Sequence, residues 1–380
     1  MTPPAPRRGP RPLLLHLLLS SLGTPPFSPA LPLWSAASPI LNALPIQMVS
    51  HRSPAIQPAD LVAGIAAYRR HPARRTLQDP PVLWAEGETR LLDYGGPATR
   101  PVLFVPSLVN RAYVLDLAED RSMLRHLARH HRVLLLDWGW PGPAESGFTL
   151  TDYIAGRLER AIAALGTPVT LAGYCMGGLL ALAAAQRRPD LVHAIALLAT
   201  PWDFHADTAS NPAALAGLLP WLEPLMAPTG RLPIDAIQTL FALLDPGGIA
   251  TKYAGFARLD PDSPRAHQFV AIEDWLNDGV PLAGPVAREC LAGWYGANTP
   301  AIFAWRVAGE IIDPRRLAIP AFIAIPARDR IVPPQAAEPL AALIPGAARH
   351  TPAAGHVGMV AGSTAERALW QPLHGWLAAL

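Results

Sequence analysis

Beyond residue 80 the chain alternates short apolar runs with longer stretches of helical spacing. Runs rich in β-branched residues and bounded by turn formers, at 81–85, 89–94, 102–105 and 133–136, predict strands. Between the third and fourth, residues 114–130 place Leu115, Leu117, Met123, Leu124 and Leu127 at roughly the 3.6-residue period and predict a helix. Strand, helix, strand in that order predicts an α/β class domain with a mostly parallel sheet and right-handed crossovers. The rhythm continues through a helix at 150–165, a strand at 169–171, a helix at 178–187 and a strand at 193–198. Later, strands at 321–325 and 348–351 flank a helix at 334–343, and 365–380 reads as a closing helix. No internal repeat is visible.

Two segments fall outside this rhythm. Residues 1–79 are rich in Pro, Leu and Ser, with a helical pattern only at 60–69, and read as a partly ordered N-terminal arm. Residues 203–318 are largely helical, carry several Trp and Phe residues, and are broken by many Pro and Gly. They read as a helical cap inserted into a core formed by 80–202 and 319–380. Within the arm, Arg7, Arg8 and Arg11 precede the apolar run 13–22, in the manner of a secretory signal. The run is short, Pro12 and the Pro25-Pro26 pair flank it, and no clear cleavage site precedes Ser35-Ala36-Ala37. A helical or interfacial segment is therefore expected, too short to span a bilayer.

Composition narrows the class of protein. With 380 residues, 51% apolar and 16% charged, the chain buries a sizeable core, as one large α/β domain or two modest ones. A net charge of +2 and the lack of a basic block interleaved with aromatics argue against nucleic acid as a partner. Two cysteines, Cys175 and Cys290, are too few for a disulfide framework, and a reducing, cytoplasmic compartment is expected.

The chemistry centres on Gly173-Tyr174-Cys175-Met176-Gly177-Gly178, which has the G-x-nucleophile-x-G form of a nucleophile elbow with Cys in place of Ser. An apolar β run precedes it and an Ala/Leu-rich helix follows, so Cys175 would sit on a sharp strand-to-helix turn. Gly173 and Gly177 suit the close backbone approach of such a turn. Helix N-terminal amides would face the sulfur and favour negative charge there, with the Met176 N–H as one oxyanion donor. Read alone, the pentapeptide also fits a buried apolar cysteine in a Gly-rich chain.

Two downstream features support the elbow. Residues 321–325 form a strand leading into a turn that ends in Asp329, and Gly355-His356-Val357-Gly358 is a loop after the final strand. Nucleophile, acid, histidine is the chain order of the α/β-hydrolase fold. His356 would act as the base, and Asp329 would fix its tautomer and stabilise the imidazolium. Asp313 and His350 are the competing acid and histidine. The first lies on the wrong side of its strand and the second falls inside one. No metal-binding cluster enters this scheme.

Further segments resemble the polyhydroxyalkanoate synthase family. These are residues 105–117 (VPSLVNRAYVLDL), Asp137-Trp138-Gly139-Trp140-Pro141, residues 150–154 (LTDYI), Gly173 to Gly178, Thr200-Pro201-Trp202-Asp203-Phe204, residues 329–333 (DRIVP) and residues 355–358. The resemblance covers roughly residues 80–380, more loosely in the insertion, and the length is similar to the family's short-subunit members. It implies an α/β-hydrolase fold, Cys175 as acyl carrier with His356 and Asp329 as partners, and the backbone amide of Val109 as second oxyanion donor. On a residue reading, Asn110 and Asp116 are also turn or cap residues, Trp138 and Tyr153 core aromatics, and Trp275 a packing residue.

The resemblance further implies 3-hydroxyacyl-CoA and a growing polyester chain as ligands, with coenzyme A entering as substrate and no resident cofactor. A second copy or a different second subunit, and a polyester granule surface, are the further partners it brings. Cysteine suits this reaction, because thioester exchange with CoA is nearly balanced and keeps the acyl group activated. The same triad also serves a thioesterase or polyester depolymerase, and the fold without turnover would serve a granule-associated accessory protein. No phosphate-binding glycine loop marks a CoA site.

Overall fold

The computed structural model describes residues 6–21, 57–207, 212–242, 244–245 and 247–380. The Ser35-Ala36-Ala37 segment lies outside them.

Eight strands form the central sheet: β1 (Val82–Glu86), β2 (Thr89–Gly95), β3 (Pro101–Val105), β4 (Arg132–Asp137), β5 (Val169–Tyr174), β6 (Val192–Leu198), β7 (Ala321–Ala324) and β8 (Ala348–His350). Their spatial order is β1-β2-β4-β3-β5-β6-β7-β8. β2 runs antiparallel to both its neighbours, and every pairing from β4 to β8 is parallel. β3, β5 and β7 are buried along their whole length, which is why their sequences are apolar runs without alternation. Each predicted strand is present with small shifts at its ends.

The helix expected at 114–130 is different. Residues Ala112–Leu115 form a 3-10 turn, Asp116–Ala118 pairs with Arg121–Ser122 as a short hairpin, and only Met123–Leu127 is helical. The reason lies in Asp116, whose side chain is fully buried and accepts from Arg125 Nε at 2.8 Å and from the Tyr94 hydroxyl at 3.1 Å. Ser122 Oγ then caps the helix by accepting from the Arg125 N–H at 3.0 Å. The apolar positions still face the core, with Leu115, Leu124 and Leu127 fully buried.

The chain divides into two compact units, Met1–Arg75 with Ile234–Gly279, and Thr76–Pro233 with Val280–Leu380. This corrects the expected partition into arm, core and insertion. Part of the arm joins the middle of the insertion, because each has an apolar face that the other covers. Leu61, Ile65 and Tyr68 from helix Pro58–Arg70 share a core with Tyr253, Phe256, Ala266 and Val270. Gly64 permits this contact, since a Cβ there would stand 2.1 Å from the Tyr253 carbonyl oxygen. Helix Leu13–Ser21 lays Leu13 and Leu17 on the same cluster. Arg7 holds the N-terminal segment by donating to Asp274 at 2.5 and 2.7 Å and to the carbonyls of His71 and Ala73. Trp275 is buried in this unit. No helix among the described residues is long and apolar enough to cross a membrane.

Candidate active site

β5 ends at Tyr174 and helix Met176–Arg187 begins two residues later, leaving Cys175 alone to make the turn. Its backbone is forced to φ 57°, ψ −129°, a strained conformation for any residue with a side chain. The turn is held from both sides. The Cys175 N–H donates to the Leu198 carbonyl on β6 at 2.8 Å, and the Cys175 carbonyl accepts from the Gly178 N–H at 2.9 Å.

Glycine is required beside it. A Cβ on Gly177 would lie 2.1 Å from the Val105 carbonyl oxygen and 2.5 Å from that of Pro106, and one on Gly173 would lie 2.4 Å from Gly178 Cα. These are backbone contacts that cannot swing aside. The helix can therefore start directly over the end of β3 only because the elbow has no side chains at these points. As the first helical residue, Met176 has an N–H with no acceptor inside the helix.

Asp329 and His356 arrive from the loops after β7 and β8. His356 Nδ1 and Asp329 Oδ2 are 2.6 Å apart, and both residues are buried. The other carboxylate oxygen accepts the backbone N–H groups of Ile331 at 2.8 Å and Val332 at 2.9 Å, so the carboxylate cannot rotate away. Burial disfavours a charged His356, but the adjacent Cys175 and the Asp329 hydrogen bond outweigh it and raise the imidazole to about 10. His356 thus holds its proton across the neutral range.

The competing residues are engaged elsewhere. Asp313 pairs with the Arg315 guanidinium at 2.8 Å and caps a 3-10 turn, and His350 Nε2 bonds to the Ala368 carbonyl at 2.6 Å. Val109 lies on the loop after β3, and its N–H donates to Ser107 Oγ at 3.0 Å. That amide is committed to a local turn. Among the described residues, no group of three or more His, Cys, Asp or Glu side chains could hold a metal.

Residues 100–226 match a family model for the alpha/beta hydrolase fold. A poly(3-hydroxyalkanoate) polymerase subunit of Haloferax mediterranei is 28% identical over 312 residues, covering 78% of this chain and 63% of its own length. A poly(3-hydroxyalkanoate) polymerase subunit of Thiocystis violacea is 29% identical over 298 residues, covering 74% of this chain and 81% of its own. Over about three quarters of its length the chain is thus similar to poly(3-hydroxyalkanoate) polymerase subunits. The fold has a further likeness in the crystal structure of an epoxide hydrolase from Bacillus megaterium. That structure is 15% identical with a TM-score of 0.51, and the match covers 79% of this chain and all of that one.

Several supports of this site left no signal in the sequence pattern. The Tyr174 hydroxyl donates to the His356 carbonyl at 3.2 Å while its ring lies 5.1 Å from the imidazole. Burial, then the neighbouring Cys175 and Asp329, push that phenol's ionisation well above its usual range, so it stays a donor. Trp138 donates its indole N–H to the Pro106 carbonyl at 3.0 Å, holding the strand end that crosses Gly177, and packs edge-on against Tyr153 at 5.4 Å. Both aromatics are core residues, and the first also braces the elbow. Their motif positions drew notice, but a hydrogen bond between distant segments leaves no local pattern.

Proposed function

We propose that this chain is an acyltransferase that polymerises 3-hydroxyacyl groups from coenzyme A into polyhydroxyalkanoate, carrying each group as a thioester on Cys175. The observation that carries this reading is the His356 and Asp329 pair at 2.6 Å beside a cysteine on a strained elbow. The similarity to the two polymerase subunits gives the substrate class.

In the first half-reaction the Cys175 sulfur attacks the acyl-CoA carbonyl. A new carbon–sulfur bond forms, the bond to CoA breaks, and the proton on His356 passes to the departing CoA sulfur. In the second, His356 accepts the proton of the chain-terminal hydroxyl as its oxygen attacks the acyl group. The ester forms, the thioester breaks and Cys175 is regenerated. Asp329 holds the imidazole in one tautomer throughout. Met176 N–H supplies one oxyanion donor, and Val109 N–H supplies the second once Ser107 releases it.

Transfer to a hydroxyl rather than to water calls for an apolar enclosure. The buried rings of Trp202, Phe204, Trp294 and Trp305, from the segments after β6 and before β7, support that role. Coenzyme A is substrate, and the reading needs no resident cofactor. It includes a cytoplasmic setting at a polyester granule, and a second copy or a different subunit as partner. The test incubates the full chain with 3-hydroxybutyryl-CoA and follows both CoA release and the acyl product, with and without a candidate second subunit. Polymer is the expected product; free hydroxy acid would overturn the polymerising reading in favour of a hydrolase.

A further inference from the structure

Residues 199–205 leave the end of β6 and run over the scaffold of the triad. Leu198 closes β6 and accepts the Cys175 N–H at 2.8 Å, and the Ala199 N–H donates to the Ala324 carbonyl on β7 at 2.9 Å. Thr200 packs so closely on the elbow that a Cβ on Gly178 would lie 1.9 Å from its Oγ1. The N–H groups of Trp202 and Asp203 donate to the Ala336 carbonyl at 2.8 and 3.0 Å, in the helix Pro334–Leu343 that follows the Asp329 loop. The segment thus touches the nucleophile's turn first and the support of the acid next.

Its far end is clipped to a second element by Asn298. Asn298 Oδ1 accepts the Phe204 N–H at 3.0 Å, and Asn298 Nδ2 donates to Asp203 Oδ1 at 2.8 Å. Asn298 is buried, and its φ of 51° is a left-handed conformation that Asn adopts more readily than most residues. Its own N–H donates to the Trp294 carbonyl at 3.1 Å, which seats it on the π-helix Glu289–Gly296. From that turn Trp294 stacks on the Phe204 ring with centroids 5.6 Å apart, and Tyr295 meets the same ring edge-on at 5.0 Å. One amide side chain therefore fixes an apolar ring four residues beyond the contact with the elbow.

We propose that Asn298 is a positioning residue that keeps Phe204 seated as a water-excluding wall, and so sets how the acyl group on Cys175 divides between a hydroxyl acceptor and water. When water wins, it adds to the thioester carbonyl, the carbon–sulfur bond breaks, and free acid leaves with Cys175 restored as the thiol. This inference rests on the reading of Cys175 as acyl carrier, and the experiment separates it from the polymerase reading.

Asn298→Asp keeps the size and the acceptor for Phe204 but sets a carboxylate against Asp203. Adding Asp203→Asn restores a donor and acceptor pair with the roles exchanged. The probe is butyryl-CoA, whose acyl group carries no hydroxyl to extend, so decay of the Cys175 adduct after removal of excess probe reads water alone. Intact-protein mass follows the adduct, and hydrogen exchange of the peptide containing Phe204 reports whether the clip is open. Deacylation is expected to run about 5- to 50-fold faster in Asn298→Asp and to return to within about threefold of the parent in the double variant. Exchange at Phe204 should rise in the single variant only. Where Asn298→Asp fails to melt cooperatively, Asp203→Ala, which removes the acceptor without adding charge, takes its place. An adduct lifetime within about twofold of the parent's in the single variant overturns the proposal, as does a double variant that regains no lifetime. A parent that forms the adduct yet makes no polymer from 3-hydroxybutyryl-CoA counts against the polymerase reading alone and leaves the lifetimes decisive. A parent that forms no adduct on Cys175 overturns both.

Discussion

Asp329 commits both its oxygens, one to His356 and the other to two backbone amides, so its charge and its orientation are fixed together. The ionisation of His356 is raised from 6.5 to about 10, so the stabilisation that the site gives to its charged form is complete below about pH 6.5. That stabilisation is lost as pH rises through about 10. Activity that requires the imidazolium should therefore decline on the alkaline side near pH 10. Asp329→Asn removes the negative partner but keeps the size. It should move that decline to lower pH by about one unit or more, and lower the plateau roughly 10²- to 10⁴-fold. A profile of kcat/KM against pH checks both, and an unmoved alkaline limb in the variant would count against the ion pairing described here.

At the scale of elements, the strands were the most legible part of the chain, because those buried on both faces must be apolar runs. β5 extends to Tyr174, beyond the expected 169–171, since Ala172 and Gly173 carry no β signal but continue the pairing with β3 and β6. The helix expected at 114–130 broke where Asp116 found buried partners, a tertiary effect that outweighs an apolar period. The π-turns at Asp152–Leu158, Glu289–Gly296 and Glu366–Trp370 fell within runs that read simply as helix or as broken insertion, and periodicity does not distinguish them. The elbow was legible because its glycines answer a local steric demand. Gly177→Ala places a methyl against two carbonyl oxygens and should cost about 2–4 kcal/mol, read as a lower urea midpoint at unchanged slope. A variant as stable as the parent would show that β3 and the helix start can separate without penalty.

For the whole molecule, sequence pattern pointed to Cys175, Asp329 and His356 as nucleophile, acid and histidine, and the structure brings the three to one end of the sheet in the Thr76–Pro233 and Val280–Leu380 unit. The partition of the chain was not legible in the same way. The joining of residues near the N-terminus with 234–279 depends on complementary faces far apart in sequence, such as Gly64 against Tyr253 and Arg7 against Asp274. All of the proposed chemistry is carried by the sulfur of Cys175. Its most direct test is to quench the full chain within a single turnover of 3-hydroxybutyryl-CoA and locate the acyl group by peptide mass. The account predicts one hydroxybutyryl group on the peptide bearing Cys175, and neither adduct nor CoA release from Cys175→Ala. An acyl group on any other residue, or CoA release that survives Cys175→Ala, would contradict it.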